Sequence, residues 1–201
     1  MKTKLILLLL WLMGSWPVYA MNMYDDPRMI MSFRDKALLP ELDILRVMIT
    51  LSPENQLVFQ VKTKGERQQG AAGEYLLLQI LHAKHYVLLV PVNTQQTFHG
   101  WVYEDALQSE DGPAALIDRK FQAAAAEFAV KRIPQGVEFV IPLDWIDFGV
   151  DFGYDAYTVQ ARLQADSLQI DHIYDQARKG RHAAKRFSAI TLLNQICSPQ
   201  R

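Results

Sequence analysis

The chain has 201 residues, half of them apolar, with 21 Lys and Arg against 22 Asp and Glu and a formal net charge of −1. That apolar share excludes a disordered polymer and supplies side chains for a core. One cysteine, Cys197, excludes an internal disulfide framework.

The near-neutral total hides an asymmetry. Residues 21–175 carry 22 acidic and 13 basic side chains, net −9, whereas residues 176–201 carry six basic and no acidic ones. An acidic body does not suit a nucleic-acid binder.

The chain opens with Lys2 and Lys4, then the apolar run "LILLLLWLMG", then "VYA" with small residues at Val18 and Ala20. This is the pattern of a secretory signal peptide over residues 1–20. The run is too short for a comfortable membrane span, and no later segment supplies one. The expected product is periplasmic or secreted, with the Gram-negative periplasm preferred.

Residues 21–40 have no clean period and read as a lead-in segment with one short element at most. "LDILRVMITLS" alternates as a strand, with Leu45, Val47, Ile49 and Leu51 on one face and Ile44, Arg46, Met48 and Thr50 on the other. "SPENQ" is turn chemistry, and "LVFQVKTKG" returns with Leu57, Phe59 and Val61 alternating, so the spacing predicts a hairpin. "GERQQGAAGE" is a loop. "YLLLQILH" and "YVLLVPV" are continuous apolar runs that suit central strands covered on both faces, joined tightly through "AKH".

"FHGWVYED" puts His99, Trp101 and Tyr103 on one strand face, and "LQSEDGPAALIDR" reads as a loop. "KFQAAAAEFAVKR" favours helix by propensity, but "IPQG" and the alternating "VEFVIPL" after it demand a strand in its second half. "DWIDFGVDFGYD" reads as a loop, "AYTVQARLQ" and "QIDHIYD" as strands, and "RFSAITLL" as the last strand. Together these elements predict an all-β chain. The expected architecture is an antiparallel β-sandwich, immunoglobulin-like or jelly-roll-like, in a single domain over residues 41–196 with a tail at 197–201.

Two stretches carry a family resemblance. "LDILRVMITLSPENQLVFQVKTKG" resembles the opening hairpin of the DOMON-like superfamily, which includes carbohydrate-binding module family 9. "QGVEFVIPLDWIDFG" resembles that group's later strand ending in Ile-Pro before a polar-aromatic turn. The resemblance implies a β-sandwich that binds sugars, with calcium nearby in some members, or haem through a Met and a His.

Sugar recognition needs flat rings to stack on pyranose faces and polar groups to fix hydroxyls. His99, Trp101 and Tyr103 have that character, with Glu104 and Asp105 at the strand end and Trp145 and Tyr154 as further rings. Asp144, Asp147 and Asp151, with Asp155 nearby, sit in a Gly-bearing stretch that could gather oxygen ligands for calcium, though their spacing matches no calcium-loop motif. Met21, Met23, Met29 and Met31 are soft ligands suited to Cu(I) copper, and His172 could oppose a methionine across haem. Arg178, Lys179 and Arg181, with Lys185 and Arg186, form a basic run that attracts an anionic partner, lipid or envelope component. No G-x-S-x-G, H-E-x-x-H or P-loop pattern is present. The expectation is a non-catalytic binding domain, first for carbohydrate through the aromatic strand face, with the alternatives of a haem or Cu(I) binding protein of the envelope or an accessory protein that docks an envelope partner through its basic C-terminal loop.

Overall fold

The structure, a computed structural model, describes residues 26–66, 72–93, 100–104, 108–109, 112–113, 116–117, 128–163, 167–178 and 186–198. The strands in chain order are β1 (Met29–Met31), β2 (Ile44–Leu51), β3 (Gln56–Thr63), β4 (Glu74–Leu81), β5 (His85–Pro91) and β6 (Trp101–Glu104). The short β7 (Gln108–Ser109), β8 (Gly112–Pro113) and β9 (Leu116–Ile117) come next, then β10 (Ala129–Ile133), β11 (Gly136–Pro142), β12 (Asp151–Leu163), β13 (Leu168–Gln176) and β14 (Arg186–Ser188). One helix, α1 (Ala189–Cys197), continues directly from β14. No described helix is long and apolar enough to cross a membrane.

Two antiparallel sheets form a sandwich. The small sheet runs β1-β2-β3-β11-β10 and the large one β6-β5-β4-β12-β13-β9, with β14 also on β12. Their facing sides share one core, in which Phe59 and Phe139 of the small sheet meet Phe152 and Tyr154 of the large one. The Phe59 ring stands edge-on to Tyr154 at 5.7 Å. Each such ring buried contributes roughly 1.5–3 kcal/mol.

The two sheets use their outer faces differently. In β3, Leu57, Phe59 and Val61 are buried while their neighbours are only half so, the alternation of a sheet with one wet face. In β4 every residue after Glu74 is buried. Tyr75, Leu77, Val87, Leu89, Tyr103, Tyr157 and Val159 form a second apolar cluster on the large sheet's outer face. Continuous apolar runs in "YLLLQIL" and "YVLLVPV" are the sequence record of that double burial.

Turn chemistry is where the sequence placed it. Asn55 takes the left-handed conformation (φ 58°) in the β2–β3 turn, and the Ser52 hydroxyl accepts from the Glu54 and Gln56 amides. Pro134 and Gln135 (φ 54°) turn β10 into β11. The second half of the alanine-rich stretch is strand from Ala129; residues 118–127 lie outside the described set.

Several expectations are corrected. A bulge between Ile44 and Arg46 swings Ile44 into the core and leaves Leu45 half-buried, reversing the predicted face at that end of β2. The one short element allowed in the lead-in is β1, which pairs with β2 and so joins the small sheet. The second half of "DWIDFGVDFGYD" is not loop: β12 begins at Asp151, since Gly153 to Gln160 pair continuously with Leu81 to Glu74. "LQSEDGPAALIDR" contains β7, β8 and β9, with β9 bonded to β13. "RFSAITLL" is strand only to Ser188 and then turns helical, burying Ala189 and Leu192 at one-turn spacing.

Gly136 is the tightest backbone approach in the small sheet, where an added Cβ would lie 2.1 Å from the Val61 carbonyl oxygen. Gly136→Ala should therefore cost about 2–3 kcal/mol in urea unfolding. Gln135→Gly, which relieves a left-handed non-glycine, should be neutral or stabilising by up to about 1 kcal/mol.

Candidate ligand-binding cleft

β11 stops at Pro142, whose ring cannot extend the ladder. Leu143–Trp145 then form one 3-10 turn, closed by the Ile146 amide donating to the Leu143 carbonyl. Buried Ile146 anchors the segment, while Asp144 and Asp147 face solvent. The Asp147 carboxylate turns the chain again by accepting from the Gly149 amide at 2.8 Å.

His82, at the end of β4 and only 4% exposed, fastens this loop. Its Nε2 accepts from the Asp147 amide at 2.7 Å, and its Nδ1 lies 3.2 Å from the Asp151 carbonyl oxygen. The pair of contacts assigns the imidazole as the neutral tautomer with its hydrogen on Nδ1. The β4–β5 turn and the loop before β12 are thereby held side by side.

Between them lies a cleft of about 330 Å³. Its wall is Trp145, stacked on Tyr86 with ring centroids 4.9 Å apart and planes 28° from parallel. Tyr86 is buried, so it supports the indole from below, and Trp145 is half-buried. Lys84, Asp144 and Asp147 line the same cleft and are exposed. The arrangement offers an apolar ring, a donor cation and two acceptor carboxylates to a visitor.

Three residues singled out from the sequence thus converge: Trp145, Asp144 and Asp147. His82, Lys84 and Tyr86 were missed as partners. The signal that could have found them is pairing: Leu81 sits opposite Gly153, which brings the β4–β5 turn to the loop before β12.

The other predicted rings do not join them. Tyr103 shows no exposure and belongs to the outer-face cluster, and half-buried Trp101 meets Tyr75 edge-on at 5.8 Å. Tyr154 is buried on the opposite face of the large sheet, in the shared core, and its hydroxyl donates to the Pro27 carbonyl. A ring without exposure cannot stack on a sugar, so Tyr103 is corrected, whereas Trp101 is half-buried as Trp145 is but stands apart from the cleft, on the large sheet's outer face. His99 lies outside the described residues.

Arg178 is corrected too. Only 8% exposed, it faces inward: its guanidinium donates to the Tyr154 carbonyl at 3.3 Å and sits 5.7 Å from that ring's centroid. Lys179 and Arg181 lie outside the described residues. For calcium, Asp144, Asp147 and Asp151 form no common site; among the described residues no three His, Cys, Asp or Glu side chains are placed to hold a metal ion. Of the four methionines, Met29 and Met31 lie in β1, with Met31 exposed, and Met21 and Met23 are outside the described set. His172 is exposed on β13, edge-on to Tyr174.

Asp155 is the most perturbed carboxyl described. Fully buried on β12, it accepts from the Ala156 amide and from Gln176 Nε2, each at 2.8 Å. Burial pushes it up to about 6, against the opposing pull of Gln176 and Arg178. Burial likewise holds the Tyr154 and Tyr157 phenols above their ordinary value.

A raised folded-state pKa means the native protein binds a proton that the unfolded chain releases. Asp155 therefore adds stability below pH 3.8, and loses it as pH rises through about 6. The swing is on the order of 3 kcal/mol. Asp155→Asn should gain on the wild type in thermal midpoint at pH 7.5, and the gap should shrink to about half at pH 5 and close only below pH 3.8. His82→Phe keeps the bulk but strands the Asp147 amide. It should cost about 1–3 kcal/mol and speed hydrogen exchange at that amide.

No family model, no curated protein and no solved structure matches this chain.

Proposed function

We propose that this is an exported, non-catalytic carbohydrate-binding protein of DOMON-like character, and that the Trp145 cleft is its sugar site. One observation carries the reading: an indole braced from behind by a buried tyrosine, in a cleft whose accessible polar groups are a lysine and two aspartates. Stacking on an apolar pyranose face needs a ring that does not move, and Tyr86 supplies that rigidity. Fixing hydroxyls needs both donors and acceptors, which Lys84, Asp144 and Asp147 provide.

The two stretches that carry the DOMON-like resemblance lie close together in the fold. The hairpin of β2 and β3 and the Ile-Pro-ended β11 are separate stretches of sequence, and they are neighbours in one sheet. The polar-aromatic turn after β11 is the segment that presents Trp145. The export reading rests on the basic, apolar and small-residue order of residues 1–20.

A glycan array followed by calorimetry on the best hit tests this. Trp145→Ala should lower affinity at least about tenfold, a loss of roughly 1.4 kcal/mol or more. Trp145→Phe, which keeps a ring on Tyr86, should retain part of the binding. Asp144→Asn, at an exposed position, should weaken binding with an unchanged thermal midpoint. No glycan binding by the wild type, or unaltered binding by Trp145→Ala, would refute the proposal.

A further inference from the structure

A bond that ties the Trp145 loop to the end of β4 is one that a single proton abolishes. His82 Nε2 accepts from the Asp147 amide at 2.7 Å, while Nδ1 lies 3.2 Å from the Asp151 carbonyl oxygen. An imidazole accepts through one nitrogen only while it is neutral; once protonated, both nitrogens donate. Protonated His82 would point Nε2–H at the Asp147 N–H, donor against donor. The ring is 4% exposed and packs beside Phe152, with centroids 6.1 Å apart, so water does not readily supply the missing acceptor. A buried donor without an acceptor is costly, and a buried charge adds to the cost.

The loop also makes bonds within itself. The Ile146 amide donates to the Leu143 carbonyl, the Val150 amide to the Asp147 carbonyl, and the Gly149 amide to the Asp147 carboxylate. Of these bonds and the one to His82, the last crosses to the end of β4. Asp147 is therefore a pivot: its amide is tied to His82, and its exposed side chain lines the cleft two residues from Trp145. A loop displaced at Asp147 carries that carboxylate with it and shifts the backbone that presents Trp145 and Asp144.

We propose that His82 is an acid-sensitive latch on the Trp145 cleft: neutral, it holds the loop in the ligand-ready position, and protonated, it releases the loop and the ligand. The inference rests on the reading of this cleft as a sugar site. Among the described residues, the elements packed against His82 carry these charged or titratable side chains: Lys84, His85 and Tyr86 on the β4–β5 turn and β5, Asp144 and Asp147 on the loop, Asp151 and Tyr154 on β12, and Arg186 on β14. Of these residue types, histidine is the one whose ordinary titration falls between pH 8 and 5.5, which makes His85 the control.

Binding of the best array hit is measured by calorimetry at pH 8 and pH 5.5, and the ligand-free protein is titrated over the same range by amide and imidazole nitrogen chemical shifts. Wild-type affinity should fall at least about fivefold towards pH 5.5, and the Asp147 amide should shift with the same midpoint as the His82 ring. His82→Gln offers a non-titrating oxygen to the Asp147 amide. It should bind within about twofold of the wild type at pH 8 and lose most of the pH dependence. His85→Gln should keep it. The shift titration needs no ligand, and it also decides if His82→Gln does not fold. A coupled shift without glycan binding counts against the sugar reading and for the latch. The inference is overturned if affinity is the same at both pH values, if the Asp147 amide does not follow the His82 ring, or if His82→Gln responds to pH as the wild type does.

Discussion

Strand β12 is the backbone on which the rest of the molecule depends. On one side it pairs with β4 from Gly153 to Gln160. On the other it changes partner, from β14 at Asp151–Gly153 to β13 from Tyr157 onward. Among the described residues, the change leaves the edge at Tyr154 and Ala156 without a strand. The segment just after β13 bonds that edge instead: the Ala177 amide donates to the Ala156 carbonyl, and the Arg178 guanidinium to that of Tyr154. An arginine replaces a stretch of ladder, which is why a residue in a basic run is buried. The buried cation is offset by the nearby Asp155 carboxyl, and it satisfies a carbonyl that the interrupted ladder would leave unpaired.

The same strand ties the sheets together through polar atoms. Thr158, fully buried, donates to the Leu42 carbonyl at 2.7 Å. Its neighbour across the ladder, Asp175, accepts from the Ile44 amide at 2.8 Å. That amide sits at the bulge of β2, where the regular ladder with β3 is interrupted. Asp43, also fully buried, accepts from the Asp35 amide and holds the lead-in against the sandwich. Core residues supply the bulk of the stabilisation, whereas these bonds select one register, because a slip by one residue would leave each of them unpaired.

Two clefts, one at Trp145 and one beside the β10–β11 turn, lie at the ends of the sandwich for a physical reason. The shared core fills the space between the sheets, and a second apolar cluster occupies the large sheet's outer face. Turns at the ends escape both, and they carry polar side chains because their backbone is solvated. The Trp145 loop and the β10–β11 turn are such places, each leaning on one end of β4 and β5.

Most of the architecture was legible locally. Period-two alternation in β3 and β11, doubly apolar runs in β4 and β5, and turn residues such as Asn55 and Pro134 state their own conformation. These are contacts between near neighbours, and local chemistry determines them. Trp145, Asp144 and Asp147 were legible as chemistry, since a ring beside carboxylates is visible in a string. Which rings remain reachable was not. Tyr103 and Tyr154 are rings as Trp145 is, yet exposure depends on what lies over each strand face, and only packing decides that. The helix after Ser188 and the inward turn of Arg178 were hidden for the same reason. One depends on a surface for Leu192 to bury against and the other on a gap beside β12, and both come from residues distant in the chain. By itself the sequence determined strands β2 to β5 and β11 and the β2–β3 and β10–β11 turns. The tertiary structure decided which polar and aromatic side chains face each other, because that depends on non-local pairing of β12 with β4, β13 and β14.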